Sequence, residues 1–321
     1  MLGEGSYHPN QDQLAIAGAV DDALAELLPV SRLHEATEES AEIWAQLDAL
    51  GSFSMALGED AGGSGLGAAE EALIVMSLGR RLASPTVLAT VAAVHAGFEG
   101  TRPGDGPAPR VAAAYRRGDQ VVVIGDAEAQ LLLLREGDQA ALYRADQPGT
   151  ELDSRNWLAR LQTVSALGAP LACFDAAGCL RLRLIDAAAL AGVAQAALEM
   201  AVAYAQMREQ FGRPIGAFQA VKHHCANMAI QARCARDQVS FAAVALDQGR
   251  ADAELQVESA LLVAGSAAVE NAGKNIQIHG GIGFSDEADP HLLLKRAQLL
   301  ATLAGGMEAA TTRLAALAPV Q

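Results

Sequence analysis

The stretch Arg208–Gly216, followed by Phe218 and Gln219, carries side chains suited to binding a nucleotide. An arginine at a corner between two helices can bind a diphosphate through paired charge-assisted hydrogen bonds. An adjacent aromatic ring such as Phe211 can pack on a flat heterocycle. Considered alone, the pattern more often marks an ordinary corner, where one helix ends near Arg208 and the next starts near Phe218.

A second stretch, Gln277–Phe284, contains Gly280, Gly281 and Gly283 in close succession. Glycine lets a backbone approach a ligand closely, because no Cβ stands in the way. A helix C-cap followed by a loop would leave the same pattern. This stretch alone is therefore weak evidence for a phosphate site.

Together, the two stretches resemble the acyl-CoA dehydrogenase family. The pattern RxxFGxPIxxFQ from Arg208, then QxHGGxGF from Gln277, then Arg296, is a specific combination. The segment Glu59–Gly67 is similar to an early glycine-rich segment of the family. The resemblance covers nearly the whole chain and is strongest over residues 183–300. It implies α,β-desaturation of an acyl-CoA thioester, in which a glutamate removes the α-proton and FAD accepts the β-hydrogen as hydride.

The resemblance also implies which residues contact the cofactor. In the family, the two motifs contact the ADP half of an FAD that lies mainly in the neighbouring subunit. The matching positions in this chain are Arg208, Gln210, Phe211, Gln277, Gly280 and Gly281.

The chain departs from the family at the positions of the catalytic base. Nine residues after Arg296, where the family has its glutamate, stands Gly305. Other members place the base at the start of the first bundle helix, but the matching stretch 181–184 has no carboxylate, and Asp186 is off register. Glu308 lies near Gly305 and is expected to be a solvated helix residue. The sequence thus predicts no catalytic residue in this chain.

Two further departures concern the flavin ring. The family's TEPxAGSD-like segment has no match between residues 101 and 182, and Met307 replaces a threonine that contacts FAD. The resemblance then implies a shortened, non-catalytic subunit of a heteromeric α2β2 acyl-CoA dehydrogenase that acts with a catalytic partner chain. Such members act notably on bulky steroid-type CoA thioesters. The alternatives are a homomeric flavoenzyme with another base, such as Glu308 or Asp286, and a flavin-free scaffold.

The elements that must position these residues fall into three zones of a mainly α fold. Residues 1–100 are predicted to form an N-terminal helical domain. Residues 101–182 open with a breaker segment and continue as short apolar runs separated by Gly-Asp turns, which predicts a reduced β domain built as an antiparallel meander. Residues 183–321 carry apolar side chains at helical spacing on more than one face. This predicts a C-terminal four-helix bundle with a subunit contact.

Composition limits the partners of the protein. The 321-residue chain has a formal net charge of −15, so it would repel a phosphate backbone and is predicted not to bind nucleic acid. A signal-peptide pattern and a run of about 18 uncharged apolar residues are both missing, which predicts a cytoplasmic protein without membrane segments. The four cysteines lack zinc-site spacing and are expected to be buried, reduced thiols.

Overall fold

The computed structural model describes residues 7–96, 107–147, 149–153 and 158–317. The first residues of the predicted breaker segment, up to 106, lie outside this part of the chain. The helices are α1 (Gln11–Leu27), α2 (Ala41–Ala49), α3 (Ala68–Arg80), α4 (Pro85–Ala93), α5 (Ala176–Met207), α6 (Gln219–Asp247), α7 (Ala253–His279), α8 (Pro290–Leu303) and α9 (Gly306–Ala316).

The N-terminal helices begin where the sequence supplies hydrogen-bonding caps. The Asn10 side chain accepts from the N–H of Gln13, whose side chain bonds back to the Asn10 backbone, and Ser40 caps α2. Helix α4 starts with Ser84 as cap and Pro85 in its first turn, and the apolar spacing of the sequence did not predict it. All nine of its residues are buried, so apolar side chains surround it and leave no helical periodicity to detect.

The β domain is a seven-stranded sheet in the order β5-β6-β2-β1-β3-β4-β7. Its strands are β1 (Val111–Arg117), β2 (Gln120–Ile124), β3 (Leu131–Glu136), β4 (Gln139–Arg144), β5 (Thr150–Glu151), β6 (Leu161–Val164) and β7 (Ala172–Cys173). The predicted antiparallel meander is wrong at three connections. Strand β3 pairs with β1 in parallel rather than with β2, β5 pairs with β6 rather than with β4, and β7 pairs with β4 rather than with β6. The Gly-Asp turns at 118 and 137 close hairpins, whereas Gly125 leads into a crossover. Turn residues mark where a strand ends but carry no information about which edge the next strand joins.

Helix α5 is the central element of the C-terminal half and packs against α3, α6 and α7. It begins at Ala176, inside the segment expected to belong to the β domain, because the Asp175 carboxylate accepts from the N–H of Gly178 at 2.7 Å and caps it. Among the described residues, α5 is the one helix long and apolar enough to span a membrane, with 61% of its most apolar window buried. Burial between neighbouring helices is a sufficient reason for this apolar surface.

Two glycines let the N-terminal domain dock directly onto α5. A Cβ on Gly79 in α3 would overlap the backbone of Ala189, and a Cβ on Gly192 in α5 would overlap the carbonyl of Met76. The two helices therefore cross in backbone contact, which only glycine at both positions allows. The helical, β and helical parts form one continuous core, and this order confirms the predicted mainly α fold.

The bundle brings the ends of two long helices together. Along α7, Asn271 contacts Ala194 of α5, and His279 contacts Tyr204 of α5. The contacts advance in the same direction along both chains, so α5 and α7 are parallel. Their C-terminal ends therefore lie at the same end of the bundle, where α6 begins.

Cysteine placement differs in part from expectation. Cys179 is buried and Cys225 is half-buried, but Cys173 and Cys234 are exposed. The four thiols are free, and the described residues contain no group of three side chains able to hold a metal ion.

Candidate functional site

The corner after α5 is a tight β-hairpin rather than a simple helix–turn–helix connection. Strand β8 (Glu209–Gln210) pairs with β9 (Arg213–Pro214). The two loop residues, Phe211 and Gly212, have φ of 54° and 74°, as a two-residue type I′ turn requires. A left-handed conformation is costly for a residue with a side chain. The hairpin tolerates this conformation at Phe211 and holds its ring 90% exposed to solvent.

Two arginines of this corner have different roles. The guanidinium of Arg213 lies over the ring of Phe218, 4.3 Å from its centroid, and is held there by a cation–π contact. Arg208 is exposed, and its side chain makes no hydrogen bond or ion pair with the part of the chain that the structure describes. Its guanidinium is therefore available to an anionic ligand. The first turn of α6 also has no side-chain cap, which leaves backbone N–H groups facing the same region.

The corner after α7 combines three glycines with different constraints. Gly280 has φ 67° and ψ −143°, a conformation open essentially to glycine alone. A Cβ on Gly283 would lie 2.8 Å from the Ile276 carbonyl oxygen, so close packing requires glycine there. At Gly281, φ is ordinary and no atom lies within 4 Å of an added Cβ. Nothing in the described chain requires glycine at position 281.

The structure brings the two corners together at one end of the bundle. The ring of Tyr204, one turn before Arg208, stacks on His279 with centroids 4.0 Å apart and planes 23° apart. The Nδ1–H of His279 donates to the Asn275 carbonyl at 2.8 Å. Burial lowers the pKa of His279, and the hydrogen bond to the Asn275 carbonyl opposes that shift, so the ring favours its neutral form.

All six predicted cofactor residues are exposed at this end of the bundle. Phe211 is 90% exposed, and three apolar side chains beside the six residues are also exposed: Met207 at 75%, Ile282 at 52% and Phe284 at 73%. Large apolar side chains clustered with a free arginine indicate a surface that another molecule covers. A guanidinium, an aromatic face and accessible glycine backbone match the diphosphate and the flat ring of a nucleotide.

A second feature is a cavity of about 280 Å³ between the sheet and the bundle. Gly305 and Leu182 both line it, so the two positions at which the family places its base face the same space. Gly305 has φ 91°, lies just before the first residue of α9 and has no side chain. The cavity is smaller than the roughly 300–1,000 Å³ typical of small-molecule sites.

Buried ion pairs occupy the walls of this cavity. Arg135 donates to both carboxylate oxygens of Asp186, at 2.5 and 3.1 Å. Arg183 and Arg313 each donate to Glu258 at 2.8 Å, and Glu258 is fully buried. Burial raises the pKa of Asp186, and Arg135 opposes that shift.

Asp186 also lines the cavity, one helical turn beyond Leu182. Its spacing of four residues from Leu182 places both side chains on the same face of α5. Its bidentate bond to Arg135 leaves neither oxygen free, so its position alone does not make it a base.

The other carboxylates considered as bases lie elsewhere. Glu308 is exposed in the first turn of α9, and it is not among the described residues that line the cavity. Asp286 lines a separate space between α8 and the 3-10 turn Val30–His34. Met307 packs against Gly265 of α7, and so serves the bundle core.

The early glycine-rich segment has a packing role in this structure. A Cβ on Gly63 would overlap the backbone of Leu57. At the end of the segment, the Asp247 carboxylate of α6 accepts from the N–H groups of Ala68 and Ala69 at 2.6 and 2.9 Å. This cap from another helix fixes α3 against the bundle.

Both helical parts of the chain match models of one protein family. The model of the acyl-CoA dehydrogenase C-terminal domain matches residues 179–317, and that of the N-terminal domain matches residues 10–99. Acyl-CoA dehydrogenase IpdE2 of Mycobacterium tuberculosis is 33% identical over 262 residues, which cover 79% of this chain and 80% of that protein. Acyl-CoA dehydrogenase FadE34 of the same organism is 34% identical over 305 residues, which cover 84% of this chain but 41% of FadE34.

Solved structures share the fold at lower identity. The ChsE4-ChsE5 complex from Mycobacterium tuberculosis matches with a TM-score of 0.77 and 24% identity, covering 98% of this chain and 100% of that chain. A variant of the Tcur3481-Tcur3483 steroid ACAD matches with a TM-score of 0.77 and 23% identity, covering 95% of this chain and 97% of that chain. With both family models matching and a relative aligned over most of its length, the chain belongs to the acyl-CoA dehydrogenase family of FAD-containing oxidoreductases.

Proposed function

We propose that this chain is the non-catalytic subunit of a heteromeric α2β2 acyl-CoA dehydrogenase. It supplies contacts to the ADP half of FAD, while a partner chain supplies the catalytic base and the contacts to the flavin ring. The complex desaturates an acyl-CoA thioester between its α and β carbons. One contrast carries this proposal: the end of the bundle that carries Arg208 and Gln277 is accessible, whereas Gly305 and Leu182 stand at the family's base positions and cannot take a proton.

The end of the bundle that carries Arg208 and Gln277, called the nucleotide-binding end below, would hold the cofactor through this chain's own groups. Arg208 would donate charge-assisted hydrogen bonds to the diphosphate, and Phe211 would pack on a flat ring. Gln210 and Gln277 would add polar contacts, and the glycine backbone at 280–281 would let the ligand approach closely. When bound, FAD supplies the hydride acceptor of the reaction.

The cavity supports the absence of a base in this chain. A base must reach the α-proton in a closely defined position. Gly305 has no side chain, Leu182 cannot take a proton, and both oxygens of Asp186 are held by Arg135.

A partner chain and a bulky substrate are supported by similarity. Two structural neighbours are a ChsE4-ChsE5 complex and a variant of a Tcur3481-Tcur3483 steroid ACAD. We propose by analogy a two-chain assembly in the cytoplasm whose substrate is a steroid-type acyl-CoA. Exposed Ile230 on α6 and the apolar groove between α5 and α6 are additional surface for a partner.

The visible absorption spectrum tests the proposal. The chain is purified alone and together with the product of its neighbouring gene, and flavin content and acyl-CoA dehydrogenase turnover are measured. We expect bound flavin and turnover only in the copurified complex. Flavin and turnover in the chain alone would establish the homomeric enzyme instead. A stable complex without flavin would establish the scaffold.

A further inference from the structure

The register between α5 and α7 depends on one column of polar side chains on α7. Asn271, Asn275 and His279 follow one another at a spacing of four residues, so they share one face of the helix. All three meet α5. The Asn271 side chain donates to the Ala194 carbonyl at 3.1 Å, and it also donates to the Met228 carbonyl of α6 at 3.0 Å.

The column continues toward the nucleotide-binding end. The Asn275 side chain donates to the sulfur of Met200 at 3.2 Å. One turn later, His279 stacks on Tyr204. Asn271 and Asn275 are fully buried. An axial shift of α7 along α5 would leave buried amide hydrogens unpaired, which is unfavourable because they would lose hydrogen bonds without regaining water.

Small apolar residues dominate the rest of the α5–α7 contact. Buried alanines recur along both helices, among them Ala194, Ala197, Ala201, Ala264, Ala268 and Ala272. Alanine surfaces are nearly alike from turn to turn, so they specify the axial position of one helix against another weakly. Buried polar side chains are a well-attested means of fixing such a register.

We propose that the column of Asn271, Asn275 and His279, closed by the ring of Tyr204, positions the two nucleotide-binding corners relative to each other. The main chain anchors both ends of the final contact. The Arg208 N–H donates to the Tyr204 carbonyl at 2.8 Å, and His279 donates to the Asn275 carbonyl. These residues are positioning residues, since they act on the cofactor through Arg208 and Gln277. This inference rests on the proposed function for its ligand but not for its geometry.

Hydrogen–deuterium exchange of the chain without cofactor tests the geometry. In His279→Leu, amides of the hairpin 209–212 and of the turn 280–283 should exchange faster, because the stack no longer ties the two corners. His279→Phe keeps an aromatic ring and should exchange nearly as slowly as the wild type. Phe53→Leu is the matched control, since it removes a similar stack with Trp44 in the N-terminal domain. Unchanged exchange at both corners in His279→Leu would overturn the proposal.

Flavin affinity of the complex tests the consequence. We expect the Kd for FAD to rise about two- to tenfold in His279→Leu, the size expected for one lost aromatic pair, and to stay near the wild-type value in His279→Phe. Phe53→Leu should leave the Kd unchanged. If Arg208→Ala weakens binding while His279→Leu does not, positioning is refuted and the proposed function stands. If Arg208→Ala also has no effect, the assignment of the ADP site itself is wrong.

Discussion

Replacing Gly281 with alanine separates a ligand requirement from a folding requirement. In this chain the added methyl group would meet no atom within 4 Å, and φ at Gly281 is ordinary. The substitution should therefore leave the free energy of unfolding unchanged or raise it by about 0.4–1 kcal/mol, because alanine restricts the unfolded chain. If the backbone at Gly281 touches FAD in the complex, the same methyl group enters space that the ligand occupies.

The expected loss of affinity follows from the cost of overpacking. Forcing an additional methyl group into a filled contact costs about 1–3 kcal/mol, which corresponds to about a 5- to 150-fold rise in Kd. The assay has two parts. Urea unfolding of the chain measures stability, and titration of the flavin-depleted complex with FAD, followed by visible absorbance, measures affinity.

Gly283 provides the matched control in the same turn. A Cβ there would lie 2.8 Å from the Ile276 carbonyl oxygen and 3.0 Å from the Cβ of His279. Gly283→Ala should therefore lower stability by about 1–3 kcal/mol, whereas Gly281→Ala should not. An unchanged Kd for FAD in Gly281→Ala, with the complex intact, would refute the placement of the cofactor at this turn.

Three further predictions concern charge. Arg208→Ala should cost about 1.5–3 kcal/mol of FAD affinity in the complex, as expected for lost charged hydrogen bonds. The control Arg233→Ala removes an exposed arginine paired with Asp237 and should cost none. Equal FAD affinities of the Arg208→Ala and Arg233→Ala complexes would contradict the assignment of Arg208. Glu308→Gln should leave kcat of the complex nearly unchanged, because Glu308 is exposed outside the cavity; a hundredfold drop would make it the base. Burial, reinforced by Glu39, raises the pKa of Glu38 to about 7. Because the folded protein then holds this proton more tightly than the unfolded chain, the free energy of unfolding of the wild type should fall as pH rises from about 4.5 to 7. The fall should be about 3 kcal/mol, at 1.36 kcal/mol per pKa unit. Glu38→Gln should remove this loss of stability, and urea unfolding of wild type and variant at pH 4.5 and pH 8 measures it. Equal free energies of unfolding of wild type and Glu38→Gln at pH 8 would show that the pKa of Glu38 is not raised.

The Glu38 prediction rests on the geometry of its carboxylate. The residue as a whole is half-buried, but both carboxylate oxygens are shielded from solvent. The hydroxyls of Thr86 and Ser84 and the buried guanidinium of Arg296 favour the charged form, and burial together with Glu39 outweighs them and raises the pKa. The ionised carboxylate is therefore destabilising, and its neutral amide analogue avoids that cost.

Local sequence determined the features that depend on neighbouring residues. Helix starts at Asn10 and Ser40 follow from side chains that satisfy N–H groups within the same turn. Gly212 predicts a turn after α5 but not the hairpin, because the hairpin also needs a left-handed conformation at Phe211 that a residue with a side chain rarely adopts. The two motifs could be recognised because each is a contiguous sequence segment, and Gly305 because it lies at a fixed spacing from Arg296.

Tertiary structure alone decided which of these sequence segments lie next to each other in the folded chain. Arg208 and Gln277 are far apart in sequence, and they share one end of the bundle because α5 and α7 run parallel, an outcome of packing that no local pattern encodes. For the same reason Gly305, Leu182 and Asp186 converge on one cavity, where Arg135 from the sheet neutralises Asp186. Charge pairing between distant segments depends on distances that only the folded chain has. Sequence therefore predicted which residues bind the cofactor and that the base is absent, whereas the fold decided which side chains are free to act.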